Sequence, residues 1–160
     1  MRVKDIMTRN VSGVRASEPL SAAAKIMWDC DCGSVPVLDD ASRVIGMITD
    51  RDICMSCWTR DRASSAIQIA HSMSSELFSC SPDDMVGDAE EIMRSRQVRR
   101  LPVVDELGRL AGIISLADIV REAQREQGRR SKEVVADEVA STLASICQPR
   151  SVTAPPYVSA

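Results

Sequence analysis

Apolar residues along this chain recur first with a helical period and then in short runs of strand character. Ala23, Ala24, Ile26 and Met27 form a stripe at helical spacing. Ahead of it stands Ser17-Glu18-Pro19-Leu20, in which a Ser N-cap, an acid in the first turn and an early Pro predict a helix start. Val35-Pro36-Val37-Leu38 predicts a short strand and Asp39-Asp40-Ala41-Ser42 a turn. Arg43 to Thr49 predicts a second strand, so nearly all apolar that it is expected to be covered on both faces. Asp50 to Thr59 predicts a second helix, and an extended piece around Val11 to Val14 precedes the whole set.

The same order then returns: extended Leu77 to Cys80, helix Asp83 to Arg96, strand Leu101 to Asp105, turn Glu106-Leu107-Gly108, strand Arg109 to Ser115, helix Leu116 to Arg125. A shift of 66 residues superposes twelve identities without a gap, from Met7/Met73 through Pro36/Pro102 and Gly46/Gly112 to Asp52/Asp118 and Ile53/Ile119. The fold class predicted is α/β (α+β): two β-α-β-β-α repeats packed around a pseudo-two-fold axis, plus a C-terminal helix. The expected units are residues 1–65, residues 66–125, and residues 126–160 as a C-terminal helix and disordered tail. Halves of about 60 residues bury little core alone, so a joint core is expected. The last helix is predicted over Ser131 to Cys147, with a narrow stripe of Val135, Val139, Leu143 and Ile146; Pro149, Pro155 and Pro156 predict disorder after it. Met7, Met27, Met73 and Met93 occupy repeat-equivalent positions and are expected in the core.

Composition narrows the function. The net charge of -3 argues against a broad nucleic-acid surface. No apolar run has the length to span a membrane, and Met1 to Asn10 lacks a signal peptide's apolar stretch, so a cytoplasmic protein is expected. The six cysteines are then expected to be thiols, packed as small apolar residues. Cys30-x-Cys32 with Cys54-x-x-Cys57 offers four thiols for zinc or redox chemistry, but the second pair has helical spacing and nothing matches a zinc ribbon. The single histidine, His71, falls in the linker. The chain contains no recognisable nucleophile–base pair, P-loop or dinucleotide fingerprint, so neither enzymatic activity nor a cofactor or metal is expected.

Two groups carry candidate chemistry. Thr49-x-x-Asp52 and Ser115-x-x-Asp118 are capping boxes, which satisfy free N–H groups at a helix start. The same geometry suits a phosphate, held by helix-start N–H groups and the positive dipole end. Arg99-Arg100 precedes the Leu101 strand, whereas Gly33-Ser34 stands at the matching place in the first copy, so the two copies differ in charge there.

Asp5-Ile6-Met7-Thr8, Ser34 to Asp39, Arg43 to Ile53, Val98 to Asp105 and Gly108 to Ile119, in this order and at constant offset, resemble a tandem pair of CBS domains, the Bateman module, over about residues 3 to 125. The resemblance implies a regulatory module that binds adenosyl ligands such as AMP, ADP or ATP in clefts between the copies. It assigns the ribose to the helix-start carboxylates and the phosphates to the basic pair. One cleft would combine Ser115, Asp118, Arg99 and Arg100 with Thr8, Val11, Ser12 and Cys32-Gly33. Its twin would combine Thr49 and Asp52 with Ser74, Leu77, Phe78 and the Val98 region, with Gly33 and Ser34 in place of the arginines. Phe78 suits either stacking on a base or closing that cleft as core. The family also pairs two modules, which here makes Asp50 to Thr59 and Leu116 to Arg125 the expected homodimer contact, with an unidentified regulated protein as a further partner. Two other readings stay open: a constitutive dimerisation or scaffold module with vestigial clefts, and a thiol-based redox or zinc sensor.

Overall fold

Residues 1–126 and 133–149 are described by a computed structural model. The elements run α1 (Val3–Ile6), β1 (Val14–Arg15), α2 (Leu20–Asp29), β2 (Ser34–Leu38), β3 (Val44–Thr49) and α3 (Asp50–Arg60). After tight turns at Ser64–Ala66 and Ile69–His71 come α4 (Val86–Arg96), β4 (Arg100–Val104), β5 (Leu110–Ser115), α5 (Leu116–Arg125) and α6 (Ala136–Ile146). β2 and β3 pair antiparallel with Val37 opposite Gly46, as do β4 and β5 with Val103 opposite Gly112, so the 66-residue offset holds in the register itself. β1 adds parallel to β2, Val14 opposite Val37. Its counterpart in the second half is reduced to one bridge, Cys80 to Val103.

The two halves exchange their leading segments. The Val3 and Lys4 amides donate to the Asp84 and Pro82 carbonyls at 2.9 Å, and Val86 N–H donates to Met1 at 3.1 Å. The same three bonds recur 66 residues on, from Ile69 to Glu18, Ala70 to Ala16 and Leu20 to Ile67, each at 2.9 Å. Residues 1–7 therefore complete the second half, and residues 67–73 complete the first. In place of a joint core, each half has its own cluster: Leu20, Val35, Val37, Ile48, Ile67 and Ile69 in one, Val3, Met93, Leu101, Val103, Ile114 and Ile119 in the other. The exchange supplies Val3 and Ile69, which is how halves this small each close a core.

Several expectations are corrected. Ser17 is not the cap of α2: Glu18 turns back to accept the Arg15 N–H at 2.5 Å, and the helix starts one residue after Pro19. Asp84 accepts the Ser81 N–H in the same manner, so α4 begins at Val86 rather than Asp83. β3 alternates buried and half-buried positions instead of being covered on both faces. Met27 and Met93 are buried, and Met73 and Met7 pack partly buried against the halves' cores. Of the cysteines only Cys80 is buried; Cys30, Cys54 and Cys147 are exposed, because two sit at helix C-caps and one on the outer side of α3.

α6 departs most from the sequence pattern. It starts at Ala136, packs on α4 and α5, and buries Val139, Thr142 and Ile146, while Val135 and Leu143 stay exposed. The lead-in to it is fixed by Glu126, itself buried, whose carboxylate accepts the Glu133 and Val134 N–H groups at 2.8 and 2.9 Å. Ser131, where the helix was expected to begin, and the tail beyond Pro149 lie outside the described residues.

Candidate functional site

Glycine brings the halves together at the site. Thr8 pairs with Ile113 by two bonds of 2.9 Å, and Gly112 beside it leaves room: a Cβ there would lie 2.6 Å from the Thr8 carbonyl oxygen. The twin contact, Ser74 with Met47, depends on Gly46 in the same way, with 2.5 Å to the Ser74 oxygen. Each half thereby receives a strand-like edge from the other copy's leader, next to the end of the strand that feeds α3 or α5.

On the second half's side this builds a cleft of about 800 Å³, within the range of small-molecule sites. Thr8, Val11 and Ser12 form one wall, Cys32, Gly33 and Ser34 a second, and Arg99, Arg100, Ser115, Ala117, Asp118 and Arg121 the third. The Asp118 carboxylate accepts from the Ser115 N–H at 2.8 Å and its hydroxyl at 2.6 Å, and its other oxygen pairs with Arg121. Leu116 N–H is taken by the Arg99 carbonyl at 2.9 Å. Ala117, also in the first turn and also on the cleft, has no intrahelical acceptor for its N–H by virtue of its position. Helix start, hydroxyl and three arginines thus point to an anionic group, with Asp118 placed for hydroxyls beside it.

Arg100 crosses between the halves to donate to the Ser34 hydroxyl at 3.2 Å, and Ser34 is buried. Gly33 lies in this cleft as the Cys32-Gly33 assignment expected, but Ser34, expected at the twin cleft, lies here too: both pairs face the same cavity, because β2 and β4 begin side by side. The loop before Ser34 is held by Asp31 at φ 48°, the Cys32 N–H to Met27 bond of 2.9 Å and the Asp50 N–H to Gly33 bond of 3.2 Å. Asn10, Asp31 and Arg121 line the cleft without having been singled out, and Cys30, weighed only as a thiol, lines it as well. Only Arg121 had a readable signal, standing one helical turn beyond Asp118.

The remaining candidates are dispersed. Thr49 and Asp52 form the same capping box, at 2.7 Å between hydroxyl and carboxylate, but Met55 stands where Arg121 stands in the other copy. Ser74 is exposed, Leu77 half-buried, and Phe78 and Val98 pack against the second half's core. His71 is exposed on its turn. Among the described residues no three His, Cys, Asp or Glu side chains gather as a set that would hold a metal ion, and no helix is long and apolar enough to cross a membrane.

Known proteins place this architecture. The family model for the CBS domain matches residues 3–57 and 66–125. The CBS domain-containing protein YhcV of Bacillus subtilis is 36% identical over 117 residues, 73% of this chain and 81% of its own. The crystal structure of Hypoxic Response Protein I with two coordinated zinc ions superposes with a TM-score of 0.69 at 32% identity, over 76% of this chain and 98% of that one. The CBS domain pair of protein MJ0100 in complex with 5'-methylthioadenosine and S-adenosyl-L-methionine superposes with 0.68 at 25% identity, over 76% and 98%. With both copies matched and the exchanged halves in place, the chain belongs to the CBS domain family, as a tandem pair.

Proposed function

We propose that this protein is a regulatory module that binds an adenine nucleotide, AMP, ADP or ATP, in the Ser115/Asp118 cleft and acts on a partner by changing shape rather than by chemistry. One observation carries the reading: a single cleft of about 800 Å³ joins both halves and collects a helix start, Ser115, Asp118 and three arginines. The ligands bound by the MJ0100 pair carry adenosine, which fits a site that offers a carboxylate for ribose hydroxyls. Because the walls come from both copies, a ligand there changes how one half sits on the other. When the cleft fills, Asp118 exchanges its Arg121 pair for the ribose, and Arg121 is released toward phosphate. The capping box stays in place, since it is held by the other carboxylate oxygen.

Calorimetric titration of AMP and ATP into the wild type and Asp118→Ala tests the assignment. Loss of the carboxylate removes charge-assisted hydrogen bonds of about 1.5–3 kcal/mol each, so affinity is expected to fall at least roughly tenfold. Equal affinity in the two proteins overturns it. A second reading, self-association, has its own observation: α3 buries none of its residues and exposes Met55 and Trp58.

A further inference from the structure

The pseudo-symmetry implies two clefts, yet their walls are not alike. Shifted by 66 residues, Ser12 becomes Phe78, Cys30 becomes Arg96, Cys32 becomes Val98 and Ile26 becomes Ile92. In the open cleft the first member of each pair lines the cavity. In the twin, Phe78, Ile92 and Val98 each pack against the second half's core, and the Arg96 guanidinium carbon lies 4.7 Å from the centre of the Phe78 ring. A hydroxyl and a thiol in one cleft are thus replaced by a phenyl ring and a guanidinium stacked on it, a geometry in which the cation faces the ring's negative surface.

The segment is also held from behind. Gln97, at φ 51°, donates through Nε2 to the Ser145 and Gln148 carbonyls at 3.3 and 3.2 Å, at the C-terminal end of α6. Asp31, at the matching position, lines the open cleft instead. The capping boxes do not distinguish the clefts, because Thr49 and Asp52 cap α3 just as Ser115 and Asp118 cap α5.

We propose that Phe78 and Arg96 are a built-in plug that closes the Thr49/Asp52 cleft, so that each chain has one nucleotide site and its stoichiometry is set by these two side chains. The inference rests on the nucleotide reading above for its ligand, and the test separates the two. Calorimetry with AMP is expected to give one site per chain in the wild type and, in Asp118→Ala, that one site at least roughly tenfold weaker. In Phe78→Ser with Arg96→Ser, which restores small side chains, a second site is expected. Two sites in the wild type overturn the plug and leave the nucleotide reading standing. Absence of AMP binding in every protein overturns the nucleotide reading, and the plug is then decided without ligand: the Arg96 side-chain NMR resonances are expected to carry an upfield ring-current shift that Phe78→Leu abolishes. Unshifted Arg96 resonances overturn the plug, as does failure of the folded double variant to gain a second site when the wild type binds AMP at one.

Discussion

Gly112 shows how much of the site depends on one missing atom. A methyl group there meets the Thr8 carbonyl oxygen at 2.6 Å, closer than a Cβ tolerates, and the Met7 sulfur at a tight 3.0 Å. Thr8 is backbone-paired on both sides of that contact, so it moves only by breaking its two bonds to Ile113. Gly112→Ala is therefore expected to cost about 1–3 kcal/mol, the usual range for overpacking, and to shift a wall of the cleft. Chemical denaturation checks the first point. An unchanged midpoint would show that the Thr8 leader is not packed against β5. The repeat identity of Gly46 and Gly112 was legible in the sequence, and a mid-strand glycine marks a bulge, a bend or a close approach; the fold shows it to be a close approach in both copies. Residues such as Asn10 and Asp31 were not legible, because their place depends on how two segments distant in sequence are folded together, not on any local pattern.

At the scale of elements, α6 shows where periodicity falls short. The stripe of Val135, Val139, Leu143 and Ile146 includes two residues the fold leaves exposed, and omits Thr142, which is fully buried. Thr142 is buried because its hydroxyl donates to Glu90 Oε1 at 3.3 Å, a polar contact between helices that a count of apolar residues misses. β-α-β-β-α order and strand register, by contrast, follow from the sequence pattern, since each strand's neighbours are local. Burial pushes the Glu90 carboxyl above its ordinary value of 4.5; the Thr142 hydroxyl and Arg94 pull it back, and Glu138 on α6 adds to the rise. The folded chain thus holds this proton more tightly than the unfolded one. Stability contributed by protonated Glu90 is present below the ordinary value and is lost as pH rises through the raised one. Glu90→Gln, which keeps an acceptor for Thr142, is expected to melt higher than the wild type at pH 7 and equally at pH 4. Melting curves across that interval check it; parallel pH profiles would mean that the burial of Glu90 carries no cost.

On the scale of the whole molecule, the two halves present unequal outer surfaces. α6 covers α4 and α5, and α5 buries Leu116, Ile119 and Ala123. On α3, its pseudo-equivalent, no residue is buried, and Trp58 is 75% exposed and Met55 43%. Nearby, Trp28 is 87% exposed and lines a groove of about 340 Å³ between α2 and α3 with Ala24, Ile53 and Cys54. The second half has Arg94, Gln124 and Arg121 in place of Trp28, Trp58 and Met55, so the apolar character belongs to the first half alone. We therefore propose a homodimer contact centred on α3, rather than shared equally with α5. Two tryptophans of about 150–250 Å² each supply much of the roughly 800 Å² per partner that a stable interface needs. In isologous pairing every substitution enters the interface twice, so a new carboxylate is repelled by its own copy across the axis. Ile53 is the wrong residue to change, because it packs against the first half's core. Met55→Glu with Trp58→Glu alters exposed side chains and leaves the fold intact. Light scattering at micromolar concentration is expected to give twice the 17.5 kDa chain mass for the wild type and the chain mass itself for the double variant. A monomeric wild type, or a dimer indifferent to both glutamates, would place the contact elsewhere.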